Sequence, residues 1–448
     1  MSCLIRLSIV LFIGCLPLTT MAQVPPQRPN IVILFVDDLG WNDLGYRNPK
    51  FHTPNIDQLR ADGFEFTRAY IPTPTCSPSR VSLLTGKEAV RIQMVRHISG
   101  DPESEFSLWP SDPVQLPSRN WMPLEEITYA ERLKEFGYYN QFIGKWHLGH
   151  EPYHPIHQGF DAQFGTGNHG HPGNYYSPFF KTLDPLKEAA QEAYLTDVLT
   201  VHAESFIQEY DKLQPFLLSL WYYNVHGPHI GREDFVKRYT REGLKGKEAE
   251  YAAMVSTVDE SVGRVRQVIK DRGMADRTII IFISDQGGYF DNPPFRGGKR
   301  GGETLCEGGA RVPLLIYYPG LNLAPKTSAV PVQSLDIYPT LVEIASGKKC
   351  KDRHVDGKSL LPVLNGKKMR KRDLFFFRSY EDQYAAIISG DWKLIKYHSG
   401  KFELFNISTD IAEAKNLIGQ RYRQEVTLKK RLSRWEKVAT ADHQLSYD

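Results

Sequence analysis

Pro29-Asn-Ile-Val-Ile-Leu-Phe-Val-Asp-Asp-Leu-Gly40 is an unbroken apolar run that stops at two aspartates and a turn. A run with no polar alternation predicts a strand buried on both faces, as in a parallel sheet. Thr278-Ile-Ile-Ile-Phe-Ile-Ser-Asp-Gln-Gly287 repeats the pattern, and Pro215-Phe-Leu-Leu-Ser-Leu-Trp-Tyr-Tyr-Asn224 is a third apolar run. Helical patterns fall between such runs: one capped at Thr53-Pro54 that stops at Gly63, one from about Thr128 to Phe136, and long ones over roughly 189–210 and 247–270. The alternation predicts an α/β fold, a large mostly parallel sheet covered by helices on both faces. After about Ile344 the texture changes to basic, polar connectors such as Asn365-Gly-Lys-Lys-Met-Arg-Lys-Arg372. Short strands at hairpin spacing follow (374–380, 384–389, 392–397 and 402–405), then a helix over about 421–438. They predict a smaller C-terminal antiparallel-sheet subdomain with a terminal helix. The expected division is a large domain over 23–345, a basic linker over 346–372 and a C-terminal α+β subdomain over 373–448.

Open α/β sheets bind ligands at the carboxyl ends of their strands. The first run delivers Asp37 and Asp38 there, and the second delivers Asp285 and Gln286. Adjacent strand residues point to opposite faces, so Asp37 and Asp38 can share a site only if the chain is already turning at Asp38. Alone, the pair fits a metal site or a solvated turn. With Asp285 and Gln286 it supplies an all-oxygen set suited to Ca²⁺ or Mg²⁺.

Cys76-Ser-Pro-Ser-Arg-Val-Ser-Leu-Leu-Thr-Gly86 carries the most specific signal. In a helix beginning near Ser77, Arg80 shares a face with residue 76, and the helix N-terminus offers free N–H groups to an anion. Gly144-Lys-Trp-His-Leu-Gly149 follows a strand-like run, and if that strand continues, Lys145 and His147 face the same side. Two such side chains repel unless an anion lies between them.

C-x-P-x-R followed by Leu84-Thr85-Gly86, with Gly-Lys-Trp-His-Leu-Gly about seventy residues on, resembles the signatures of type I sulfatases in the alkaline-phosphatase-like superfamily. The resemblance implies a sulfuric ester hydrolase in which Cys76 is oxidised to formylglycine by a maturation enzyme. An aldehyde hydrate has two hydroxyls, one to attack sulfur and one to expel sulfate. It also implies Ca²⁺ on Asp37, Asp38, residue 76, Asp285 and Gln286, although the family's usual residue at the last position is Asn or His. His226, within Val225-His-Gly-Pro-His229, matches the functional histidine, and Lys299, within Phe295-Arg-Gly-Gly-Lys-Arg300, matches the last active-site lysine. Arg80, Lys145 and Lys299 are expected to stabilise sulfate charge, His226 to protonate the leaving alcohol and His147 to take a proton from the second hydroxyl. Glu307 and Arg311 are expected to brace the glycine-rich loop; Arg296 and Arg300 could also touch substrate, with solvation the expected state of both. In Thr166-Gly-Asn-His-Gly-His-Pro-Gly173, Asn168, His169 and His171 all qualify as substrate contacts, and no motif selects among them. The expected substrate is a sulfated small molecule or glycan. The rivals are a phosphate or phosphonate monoesterase of the same superfamily and a non-catalytic sulfated-glycan-binding relative.

Residues 1–22 read as a secretory signal peptide, with Arg6, an apolar stretch from Leu7 to Leu18, and Thr20-Met-Ala22 before Gln23. The expected location is periplasmic or secreted; lipidation at Ile13-Gly-Cys15 is the alternative reading. No later apolar run is long enough to span a bilayer. A formal charge of +3 over 448 residues gives no reason to expect nucleic acid as a partner. Beyond the leader only Cys76, Cys306 and Cys350 remain, too few for a disulfide framework, and pairing of the last two is left open.

Overall fold

The computed structural model describes residues 28–441 and 443, apart from 101, 111, 114–115 and 320–325. The expected leader lies outside the described residues. Asn30–Val36 is a strand with every residue buried. Its alternation divides two cores: Ile31, Ile33 and Phe35 join one apolar cluster, and Val32, Leu34 and Val36 join the other. Period-two geometry sends successive side chains to opposite faces, so both faces must be covered.

They are. The helices Cys76–Thr85, Tyr129–Glu135 and Ile337–Ser346 place Val81, Leu133 and Leu341 in the first cluster. The helices Pro54–Asp62, Leu195–Glu209 and Lys247–Asp271 place Leu59, Leu199 and Val258 in the second. Across the eight-stranded sheet the order is Thr327–Ser328, Phe64–Phe66, Leu314–Tyr317, Thr278–Ser284, Asn30–Val36, Phe216–Trp221, Tyr139–Gly144, Ala162–Phe164. Leu314–Tyr317 runs antiparallel to both neighbours, and the five strands from Thr278–Ser284 onward are parallel. The strand ends that carry Asp37, Lys145, the 222–226 segment and Asp285 therefore open on one edge.

Asp373–Phe377, Gln383–Ser389, Trp392–Tyr397 and Phe402–Asn406 form the expected four-stranded antiparallel sheet. The helix Tyr422–Ala439 lays Leu428 and Leu432 on one face of it. The other face shares a core with Tyr70, Leu305, Cys306 and Ala310 of the large domain. The basic segment between the sheets is not detached: Asp356 N–H donates to the Gly86 carbonyl oxygen at 2.9 Å, and Asp352 pairs with Arg132 at 3.0 Å. One expected helix is shorter than its pattern, because Tyr194 bridges to Tyr176 and the helix starts only at Leu195. Among the described residues Cys76, Cys306 and Cys350 form no disulfide. Among the described residues no helix is long and apolar enough to cross a membrane.

A buried ion cluster fastens the two parts. Lys393 Nζ lies 2.9 Å from Glu307 Oε1 and 2.9 Å from Glu413 Oε1, with all three side chains fully excluded from solvent. Removing the cation would strand two buried carboxylates, which costs about 3–5 kcal/mol. Lys393→Met is expected to lower unfolding stability by that amount in a denaturant titration; a change below about 1 kcal/mol would contradict a structural role for the cluster.

Candidate active site

Helix Cys76–Thr85 starts where the central strands stop, and all ten of its residues are buried. Arg80 returns one turn later beside residue 76. Its guanidinium is fully buried against the rings of Phe35 and Trp221, at 5.3 and 5.4 Å. Nη1 donates to the Lys145 carbonyl oxygen at 2.8 Å, and Nη2 lies 3.4 Å from both Asp37 Oδ2 and Asp285 Oδ2. Arg80 thus joins three strand ends to the helix.

The turn required at Asp38 is present, since its φ of 63° lies in the left-handed region, which aspartate tolerates better than most residues. Three contacts hold it: Asp38 N–H donates to Asp285 Oδ1 at 2.9 Å, Leu39 N–H donates to Ser284 Oγ at 3.0 Å, and Tyr251 OH donates to the Asp38 carbonyl oxygen at 3.1 Å. Both carboxylates are consequently buried in one site.

One ligand atom from each of Asp37, Cys76 and Asp285 falls within 4.8 Å of the others. Among the described residues Asp37 Oδ1, which is buried, has no hydrogen-bond partner. Burial, followed by the charges of Asp37 and Cys76, drives the Asp285 carboxyl well above the ordinary range. For Asp37 burial acts in the same direction, but Lys145, His226, Arg80 and Lys299 outweigh it and hold the group well below that range. An orphaned oxygen and crowded buried carboxylates are the circumstances that a hard divalent cation relieves, so the donor set fits one. Asp38 stands at the edge of this cluster. Its Oδ1 accepts from Gln286 Nε2 at 2.8 Å, its Oδ2 pairs with Lys299 Nζ, and His226 Nε2 is 3.8 Å from Oδ2. Gln286 meets Asp38 through its amide nitrogen, whereas a cation would take the amide oxygen; a flip about the last torsion exchanges the two.

The strand that was expected to carry Lys145 and His147 ends at Gly144, where φ is 101°. A side chain there would place its Cβ 2.1 Å from the Trp221 carbonyl oxygen. The two side chains reach the site by another route. Lys145, fully buried, pairs with Asp37, and His147 takes a left-handed φ of 56° that returns its ring toward residue 76. His147 Nε2 is 2.8 Å from the Ile98 carbonyl oxygen and donates to it, which leaves Nδ1 as an acceptor. Gly170 packs on this ring so tightly that a Cβ would sit 2.9 Å from Cε1. Burial raises the Cys76 thiol, yet Lys145, Lys299 and His147 overcome burial and the opposing Asp37 charge and pull it well below its usual value.

A family model described as Sulfatase matches residues 29–347, and one described as N-sulphoglucosamine sulphohydrolase, C-terminal, matches 302–438. The chain belongs to the sulfatase family. It is 31% identical to N-acetylgalactosamine-6-sulfatase of Homo sapiens over 89% of this chain and 77% of that one, and 32% identical to arylsulfatase A of Homo sapiens over 81% and 73%. Among solved structures, Ps i-CgsB superposes with a TM-score of 0.79 at 30% identity, covering 94% of this chain and 95% of that one. Sulfatases generally use formylglycine and a divalent metal, and this sulfatase brings Cys76 to a cluster of carboxylates that suits both.

The remaining expectations divide by position. His226 follows the strand Phe216–Trp221, and Tyr175 OH, which the sequence did not single out, lies 2.7 Å from both the Tyr223 and the His226 carbonyl oxygens and shares its one proton between them. Lys299 is set by its N–H on the Gly288 carbonyl oxygen at 3.0 Å. Glu307 and Arg311 do brace the loop: Glu307 accepts from Tyr70 OH at 2.9 Å, and Arg311 Nε donates to the Thr67 carbonyl oxygen at 2.8 Å. Arg296 pairs with Glu303 and Glu403 instead of being solvated, whereas Arg300 lies over the Tyr289 ring at 4.7 Å. Of the three loop candidates, Asn168 ties Gly149 to Gly100 and His169 stacks on Phe180. His171 stacks on His226, with centroids 5.4 Å apart and planes 6° apart.

Proposed function

We propose that this sulfatase hydrolyses a sulfate ester of a carbohydrate, with Cys76 converted to formylglycine and Ca²⁺ as its metal. The observation that carries the reading is the convergence of Cys76, Asp37 and Asp285 with Lys145, Arg80, Lys299, His147 and His226 at one sheet edge. The carbohydrate class is supported by N-acetylgalactosamine-6-sulfatase and by Ps i-CgsB, which was also solved with k-i-k-neocarrahexaose. The relatives named above are sulfatases rather than phosphatases, and the non-catalytic rival would have to keep every catalytic position without using it.

Formylglycine supplies a hydrated aldehyde, one hydroxyl to attack sulfur and a second to expel sulfate. Ca²⁺ would be held by Asp37, Asp38, Asp285 and Gln286 with residue 76, and would supply charge neutralisation and a lowered hydroxyl pKa there. The chain's own groups do the rest. Lys145, Lys299 and Arg80 present fixed cations where charge grows on the sulfate oxygens, in a buried setting where such contacts act strongly. His226 Nδ1 donates to the Gly227 carbonyl oxygen at 2.6 Å, so the acid is the imidazolium form, whose second proton, on Nε2, is the one given to the leaving alcohol. His147, with its acceptor Nδ1 toward residue 76, is placed to take a proton from there.

Leaving-group dependence tests the assignment. His226→Ala is expected to slow release of sulfate from a sugar hydroxyl about 10²–10⁴-fold more than from a nitrophenol, which departs without a proton. Equal losses on both substrates would move the acid role to Lys299. An aryl phosphate measured alongside checks the choice of sulfate.

We also propose a periplasmic or secreted location and a formylglycine-generating maturation partner, on the strength of the leader-like residues 1–22 and the Cys76-Ser-Pro-Ser-Arg80 motif.

A further inference from the structure

His226 has a second face. Beyond the reacting centre it lines a cavity of about 760 Å³ between the 169–173 and 180–182 loops, the 226–229 turn, the start of helix Lys247–Asp271 and the 289–300 loop. Lys181, Lys247 and Arg300 all face this space, together with His229 and Tyr289, and no carboxylate is among the described residues that line it. Asp184, near Phe180, is committed to the Leu186 and Phe180 N–H groups at 2.8 and 3.3 Å.

All three cations are exposed, and among the described residues none of them forms an ion pair. Lys247 is the least expected, because it occupies the first position of a 25-residue helix, at the positive end of its dipole. The acidic residues of that turn do not serve it. Glu248 reaches Lys50 at 3.5 Å, and Glu250 accepts from Gly231 N–H at 2.6 Å. His229 lines the same space, and its imidazole is pushed down to about 4 by burial first and then by His226, Lys299, Lys247 and Arg300. Arg300 is held in place over the Tyr289 ring, so its fork is already oriented. A cavity this size has room for a sugar next to the one that bears the scissile sulfate.

We propose that this cavity is a subsite for a second anionic group of the substrate, a carboxylate or a further sulfate ester, bound by Lys181, Lys247 and Arg300. The proposal rests on the carbohydrate reading above and narrows it: the preferred substrate is a polyanionic glycan rather than a neutral sugar with one sulfate.

Three disaccharides with the same scissile sulfate distinguish the possibilities: one otherwise neutral, one with a uronate carboxylate, one with a second sulfate. Each is assayed with the active wild-type enzyme and with the Lys247→Ala and Arg300→Ala variants. Hydrogen bonds to charged groups are worth enough to change affinity about 10-fold or more. Each variant is therefore expected to raise KM by about that factor for a dianionic substrate, with kcat and the neutral substrate within about twofold. A loss confined to one dianion identifies the group as carboxylate or sulfate. Calorimetric binding of the same disaccharides to Cys76→Ser protein, with and without Arg300→Ala, should show the same selectivity without turnover. Equal losses on the neutral substrate, or no loss on either dianion, would overturn the subsite. Failure of the wild type on all three while it still cleaves an aryl sulfate would instead remove the carbohydrate reading.

Discussion

Cys76→Ser protein should fold normally and release sulfate at least about 10⁴-fold more slowly than wild type, a loss of the size seen when an enzyme's nucleophile is removed. Serine is close to the thiol in volume and keeps a polar atom where Cys76 Sγ accepts from Gln286 Nε2 at 3.7 Å and meets the His147 ring, so the helix start has little reason to move. What serine lacks is a second oxygen on the same carbon. It can supply one hydroxyl to attack but none to expel the sulfate afterwards. Nitrophenyl sulfate turnover, thermal unfolding and intact-protein mass check the three parts of the expectation. Wild-type material that retains an unmodified thiol and full activity would dispose of the mechanism.

The second large effect concerns Asp285. Its Oδ1 anchors the Asp38 turn and its Oδ2 faces Arg80, in addition to its place in the carboxylate cluster. Asp285→Ala is expected to lose on the order of 10³-fold in turnover, the scale of the several kcal/mol that a metal contributes to transition-state charge. The loss should persist at every Ca²⁺ concentration. A readout independent of activity accompanies it: Ca²⁺ added to chelator-treated wild type should raise the unfolding temperature, because a ligand bound only by the folded state stabilises it. The variant should show no such rise. A variant that responds to Ca²⁺ as wild type does would exclude Asp285 as a ligand.

Much of this architecture was legible in the chain because the chemistry that fixes it is local. Asn30–Val36 can be read as a buried strand since no alternating pattern exists to hide, and the turn at Asp38 follows from asking how two adjacent aspartates share one site. Cys76 and Arg80 are one helical turn apart, so their meeting needs no tertiary information. Lys145 and His147 show where such reading fails. Period-two geometry would have aligned them, but the close approach of Gly144 to Trp221 ends the strand, and that neighbour is 77 residues away in a different run. The same holds for the loops. Nothing in Thr166–Gly173 separates His171 from His169; only the His226 ring does. Nor does any motif mark Lys247 or Lys181, whose importance arises from what is missing around them. Arg296 and Arg300 look equivalent in sequence, and the C-terminal sheet decides between them by offering Glu403 to one alone.

If Cys76 is converted to formylglycine as proposed, its position bears on when that conversion can happen. In the folded protein the residue is only 8% exposed, it begins a helix in which every residue is buried, and the Arg80 that completes its motif has no exposed surface. An oxidising catalyst that must read residues 76 to 80 cannot grip them once that helix has docked beneath the sheet. Under the proposed mechanism the conversion would have to precede the chain's own collapse. A copy that folded first would be sealed in the thiol form, and the active fraction of a preparation would record the order of those two events. Slower folding, at lower temperature or with a chaperone holding the nascent chain open, would leave more molecules converted without altering a single contact of the finished site.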